Sequence, residues 1–218
     1  MNFKAVLFDM DGVIFDSEQA VIDCWKIVAP EAGIPDIEKF CKGALGITSK
    51  ATRELFYSMY GDKFPYDELN ARRRELFIER FDAGLVAVKP GVTELLTYLR
   101  ENGIKTSIAS STSSPSVIRE LKQAGLYELF DEVVCGDMIE HSKPAPDIWL
   151  EAMKRLGVES ADSIAIEDSF NGVKSAKAAG IYTIMVPDLV QPDEEIRNLA
   201  DKVLPSLNEV LKLFKQEV

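Results

Sequence analysis

Phe3-Lys4-Ala5-Val6-Leu7-Phe8-Asp9-Met10-Asp11-Gly12-Val13, near the N-terminus, carries the strongest structural signal in the sequence. Its apolar run has no polar alternation, so it reads as a strand buried on both faces, as the strands of parallel sheets are. The run stops at Asp9 and Asp11, one residue apart. Two carboxylates taken out of water at one strand end repel each other, which is costly unless a cation sits between them. Gly12 lets the backbone turn sharply just after the pair. Taken alone, the stretch also fits a strand ending in an Asx turn with acidic decoration. The rest of the chain discriminates between the two.

Downstream of this strand, the pattern turns helical. Ala20, Val21, Cys24, Ile27 and Val28 recur at helical spacing from a start near Ser17, and the pattern predicts an end before Pro30. Further helical runs are predicted around Ile37 to Cys41, Lys50 to Met59 and Tyr66 to Asp82. From Lys89-Pro90-Gly91 onward, strands and helices alternate. Strands are predicted at Lys105 to Ala109, Glu132 to Cys135, Ser163 to Ile166 and Tyr182 to Val186, with helices between them and two more at the end. Strands alternating with helices imply a doubly wound parallel sheet, an α/β fold. The excursion after the first strand is too long for a structureless loop, so it should be a small helical unit of its own. The predicted division is 1–16 with 86–218 as the core domain and 17–85 as an inserted helical domain.

A chain of 218 residues suffices for one well-buried α/β domain plus a smaller unit. The formal net charge of -11 argues against a surface that binds the phosphate backbone of DNA or RNA. A small phosphorylated ligand stays open, since it needs only a local positive pocket. No apolar run is long enough for a membrane span, and Met1 to Phe8 lacks the basic start and cleavage site of a signal peptide. Cys24, Cys41 and Cys135 are odd in number and widely spaced, which fits buried thiols in a reducing cytoplasm better than a disulfide framework or zinc site. Residue types say nothing of oligomeric state.

In a doubly wound sheet, ligands bind outside the carboxyl ends of the strands. Here the first strand ends in Asp9 and Asp11, the second in Ser110 and Ser111, and the fourth in Glu167 and Asp168. A loop held by prolines, Ser142-Lys143-Pro144-Ala145-Pro146, follows the third. Four strands therefore deliver carboxylates, hydroxyls and one ammonium to one edge. Asp9, Asp168 and, as a further candidate, Glu167, together with a main-chain carbonyl, suit Mg2+ with several retained waters. Ser110, its neighbouring backbone N–H groups and Lys143 suit a phosphoryl group. That set points to phosphoryl transfer. Asp9 is then the candidate nucleophile, forming an aspartyl-phosphate, and Asp11 the acid that protonates the leaving oxygen and later the base that activates water. His141, the single histidine, reads as a loop residue, and Arg72-Arg73-Arg74 as a solvated helix face.

These residues, in this order, resemble the motifs of the haloacid dehalogenase superfamily along essentially the whole chain. Asp9-Met10-Asp11-Gly12-Val13 looks like its first motif, Ser110 its second, Lys143 its third and Glu167-Asp168 its fourth. The resemblance implies that Asp9 is nucleophile and Mg2+ ligand, and that Asp11 is acid/base and gives its main-chain carbonyl to the metal. It implies that Glu167 and Asp168 complete the metal site, and that Ser110, Ser111 and Lys143 hold the phosphoryl oxygens. The helical insert resembles this family's cap, with the loop from Gly43 to Lys50 as its specificity element and Asp16 to Ser17 and Leu85 to Pro90 as hinges. The nearest branch resembles the β-phosphoglucomutases and small sugar-phosphate phosphatases, through Ser142 to Asp147, Glu167-Asp168-Ser169, Gly172 and Ala178-Ala179-Gly180. Founding dehalogenases lack the second aspartate of the first motif, so Asp11 argues against dehalogenation. The mutases carry a histidine in the first cap helix and an arginine in a cap loop; those places fall near Val21 and near Ser49 or Lys50. The resemblance thus implies hydrolysis of a small phosphorylated metabolite ahead of phosphosugar isomerisation. A signalling phosphoacceptor would use a similar Asp, Lys and Mg2+ set, but a large cap would block its partner protein.

Overall fold

The computed structural model describes residues 3–44 and 49–216. It contains a sheet of six parallel strands in the order β3-β2-β1-β4-β5-β6. The strands are β1 (Ala5–Phe8), β2 (Lys105–Ser110), β3 (Glu132–Cys135), β4 (Ser163–Glu167), β5 (Tyr182–Met185) and β6 (Lys202–Val203). β1 lies at the centre, in register with β2 on one side (Phe8 beside Ile108) and β4 on the other (Phe8 beside Ile166). The connections run outward from it in both directions, so the switch point of the sheet falls at its carboxyl end.

Every residue of β1 is buried. Ala5 and Leu7 share one face with Ala109 and Ala165, under Ile148, Trp149 and Ala152 of α7 (Asp147–Leu156) and Ala176 of α8 (Phe170–Ala178). Val6 and Phe8 point to the opposite face by strand alternation and are equally buried. Helix α5 (Val92–Glu101) packs on β2 and against the last helix, α10 (Leu207–Gln216). The two remaining helices of this unit are α6 (Ser114–Gln123) and α9 (Glu194–Leu199).

The chain divides into two compact units, Met1–Phe15 with Val88–Val218 and Asp16–Ala87. The second is helical among its described residues: α1 (Ser17–Glu31), α2 (Ile37–Ala44), α3 (Ser49–Tyr60) and α4 (Tyr66–Asp82). Its core is aromatic: Trp25 meets the rings of Phe40, Phe56 and Tyr66, and Phe56 those of Phe40 and Tyr66, with centroids 5.0 to 6.2 Å apart. Residues 45–48, half of the loop expected to set specificity, lie outside the described residues.

Three local expectations need correction. α1 does not stop before Pro30 but runs through it to Glu31. A proline in the last turn removes one donor only, and Ala32 N still reaches Val28 O at 3.2 Å. β6 has just two residues, too short for a periodic signal, and escapes sequence reading. Arg73 is not on a solvated face: it is half-buried, bonded to Asn70 Oδ1 at 2.8 Å, while Arg72 and Arg74 are exposed.

Candidate functional site

The backbone after β1 keeps the ladder for one more residue, with Asp9 N donating to Ile166 O at 2.9 Å. It then turns back: Gly12 N donates to Phe15 O at 3.0 Å and Ile14 N to Met10 O at 2.8 Å. Gly12 has φ +76, and a Cβ there would collide with the Asp168 carboxylate. Glycine at this place therefore serves both the turn and the approach of the fourth-strand aspartate.

Asp9, Lys143, Glu167 and Asp168 are all buried and meet at this edge. Lys143 Nζ donates to Asp9 Oδ1 at 2.5 Å, to Glu167 Oε1 at 2.6 Å and to Ala109 O at 3.0 Å. Its ammonium also lies over the Trp149 ring, 4.7 Å from the centroid. The loop that presents it is tied at several points. Ala145 N donates to Ser142 O at 3.0 Å, Ser175 Oγ to Ala145 O at 2.6 Å, and His141 N to Asp147 Oδ1 at 3.2 Å.

Burial pushes the Asp9 carboxyl well above the ordinary carboxylate range, against the pull of the Lys143 ammonium. For Lys143, burial acts downward, but the Asp9 and Glu167 carboxylates outweigh it and hold the ammonium charged.

Glu167 has both oxygens occupied. Oε1 takes Lys143; Oε2 accepts from Asp168 N and Ser169 N at 2.9 Å each and from Ser169 Oγ at 3.0 Å. Ser169 is the cap of α8, its hydroxyl oxygen accepting from Gly172 N at 3.1 Å. A Cβ on Gly172 would collide with the Glu167 carboxyl group. Glycine in the first turn of α8 is thus required by the carboxylate, not by the helix.

One oxygen from each of Asp9, Glu167 and Asp168 lies within 4.8 Å of the others. Three buried carboxylates against one buried ammonium leave surplus negative charge in a low-dielectric place, which a divalent cation would offset. The donors are all oxygen, the set that suits Mg2+, so the residues present fit the metal. Asp9 and Asp168 are the carboxylates best placed to hold it, because Glu167 is committed to Lys143 and to the turn after β4.

Asp11 and the second-strand residues stand around this centre. Thr112 Oγ1 donates to Asp11 Oδ2 at 2.8 Å. Ser110 is fully buried at the end of β2, and its Oγ accepts from Thr112 N at 3.1 Å. Ser111 is exposed. The structure thus joins Asp9, Lys143 and Glu167 by direct bonds, sets Asp168 beside them, and links Asp11 to Ser110 through Thr112. His141 sits on the surface, its Nδ1 2.9 Å from Asp147 Oδ1.

Sequence reading gave no role of their own to Thr112 and Ser169. Thr112 is one of five consecutive hydroxyl residues, and nothing in residue type marks the one that reaches Asp11. Ser169 carried a signal, a cap residue before the apolar face of α8.

The chain is similar to known proteins along most of its length. The family model described as haloacid dehalogenase-like hydrolase matches residues 6–186. The phosphorylated carbohydrates phosphatase of Thermotoga maritima is 32% identical over 181 residues, 83% of this chain and 83% of that protein. The β-phosphoglucomutase of Bacillus subtilis is 31% identical over 224 residues, 97% of each. The crystal structure of CbbY from Rhodobacter sphaeroides in complex with phosphate is similar with a TM-score of 0.79 and 28% identity, over 95% of this chain and 96% of that one.

Proposed function

The chain belongs to the haloacid dehalogenase-like hydrolases, and from that membership and the charge balance at the sheet edge we propose a Mg2+-dependent phosphatase acting on a small phosphorylated metabolite such as a sugar phosphate. The observation that carries the reading is the buried group of Asp9, Glu167 and Asp168 around Lys143 at the switch point. Bound Mg2+ would supply positive charge against the developing phosphoryl oxygens and lower the repulsion between a carboxylate nucleophile and a phosphate dianion.

In the proposed reaction, a carboxylate oxygen of Asp9 attacks phosphorus and the bond to the leaving oxygen breaks. Asp11, steered by the Thr112 hydroxyl, gives its proton to that oxygen. Asp11, now a carboxylate, takes a proton from water, which attacks the aspartyl-phosphate. The bond between phosphorus and Asp9 breaks, and inorganic phosphate leaves. Lys143 lies within hydrogen-bond reach of Asp9 and so of a phosphoryl group carried on it. Ser110 and the backbone after it, Ser111 included, are assigned the remaining phosphoryl oxygens. The helical unit is assigned the choice of leaving group, since the residues of the sheet edge act only on the phosphoryl group and the oxygen that bridges it to the rest of the substrate. Three buried cysteines fit a reducing compartment, and we place the enzyme in the cytoplasm.

A second reading, phosphosugar isomerisation, is favoured by the extent of similarity to the B. subtilis mutase. Against it, the chain's single histidine, His141, lies outside the helical unit, next to the Lys143 loop. Phosphate release from a panel of phosphorylated metabolites, with Mg2+ and with chelator, tests the proposal. Chelator-sensitive release from one or a few compounds is expected. Isomerisation of a hexose 1-phosphate seen by NMR, without free phosphate, would overturn it in favour of the mutase.

A further inference from the structure

We propose that Asp188 is a positioning residue of the metal site, accepting a hydrogen bond from a water held by the cation. The inference rests on the Mg2+ reading above and extends it to a fifth strand. After β5, Val186 N still donates to Glu167 O at 2.7 Å, so the chain runs beside the end of β4 until Pro187 turns it. Asp188 follows at once and is carried to the edge where Asp168 stands. One of its carboxylate oxygens lies within 4.8 Å of one of Asp168's.

The side chain is 10% exposed and ion-paired through Oδ1 to Lys89. Oδ2 is buried and has no hydrogen-bond partner among the described residues. A buried carboxylate oxygen without a donor, set beside a second carboxylate, is an unfavourable arrangement unless something positive or strongly donating meets it. Mg2+ keeps several of its waters, and those waters are strong donors. Groups behind the direct ligands orient such waters and carry a large share of metal affinity. Lys89 pairs with Oδ1 only and leaves Oδ2 open to a further donor.

The test is calorimetric titration of Mg2+ into the full chain without substrate, for wild type, Asp188→Asn, Lys89→Met and Asp168→Asn. Thermal midpoints are measured in chelator and in Mg2+. Asp188→Asn should weaken Mg2+ binding by about tenfold and shrink the Mg2+-induced rise in midpoint. Lys89→Met breaks the same ion pair but keeps the carboxylate, so it should bind Mg2+ as tightly as wild type or more tightly. Wild-type affinity in Asp188→Asn, or equal losses in Asp188→Asn and Lys89→Met, would overturn the inference while leaving the metal site standing. Failure of the wild type to bind Mg2+, or full binding by Asp168→Asn, would overturn the metal reading itself, and this inference with it.

Discussion

A hydroxyl 2.8 Å from Asp11 Oδ2 limits where that carboxylate can point, and Thr112, two residues past the end of β2, supplies it. Proton transfer depends on placement of this kind, and a shift of about 1 Å costs on the order of a hundredfold in rate. Thr112→Val removes the donor and keeps the shape. It should lower kcat about ten- to hundredfold with KM unchanged, and Thr112→Ser should recover most of the loss. Steady-state kinetics on the best substrate of the panel decide it; equal loss in both variants would show that the residue is structural. Asp9, Asp11, Lys143, Glu167 and Asp168 were legible because each ends a strand or sits in a loop that prolines pin. Thr112 was not, because only the parallel register shows which of five neighbouring hydroxyls faces Asp11.

The loop from Glu140 to Pro146 and the start of α7 act together in presenting Lys143. Asp147, the first residue of α7, accepts from His141 N and from its ring. The hydrogen bond to Asp147, and the negative charge of that carboxylate, raise the His141 imidazole above its ordinary range. A histidine raised on folding contributes stability that is complete below its unfolded-state value and is lost as pH rises through its folded-state value. As the single histidine, His141 gives one isolated ring resonance. Its NMR titration should centre above about 6.5 and fall toward that value in Asp147→Asn. A midpoint below it in the wild type would contradict the contact.

The same scale shows why elements differed in legibility. β1 is an unbroken apolar run, and β4 carries a shorter one from Ile164 to Ile166. β6 has two residues, and α1 keeps its helix through Pro30 because a last-turn proline gives up a single bond. Arg73 turns inward on α4, where the side chains of the helical unit, not the charge run itself, decide which face is covered.

Over the whole molecule, the chemistry-bearing groups lie in the sheet unit and the helical unit has its own aromatic core. Phe40 is fully buried in that core, so Phe40→Ala should cost about 3–5 kcal/mol of unfolding free energy by urea titration. A loss below about 1 kcal/mol would mean that the cluster is not packed as described. No described helix is long and apolar enough to cross a membrane. Burial pushes the Cys41 and Cys135 thiols up to about 11, as suits side chains that fill space and do no chemistry.

Every step proposed for this site depends on Asp9 as the nucleophile. Phosphate release by purified Asp9→Asn, compared with wild type on the same substrate in Mg2+, tests it most directly. Loss of turnover to background, with an unchanged circular dichroism spectrum and cooperative melting, is the predicted result. Wild-type rates from the folded variant would contradict it.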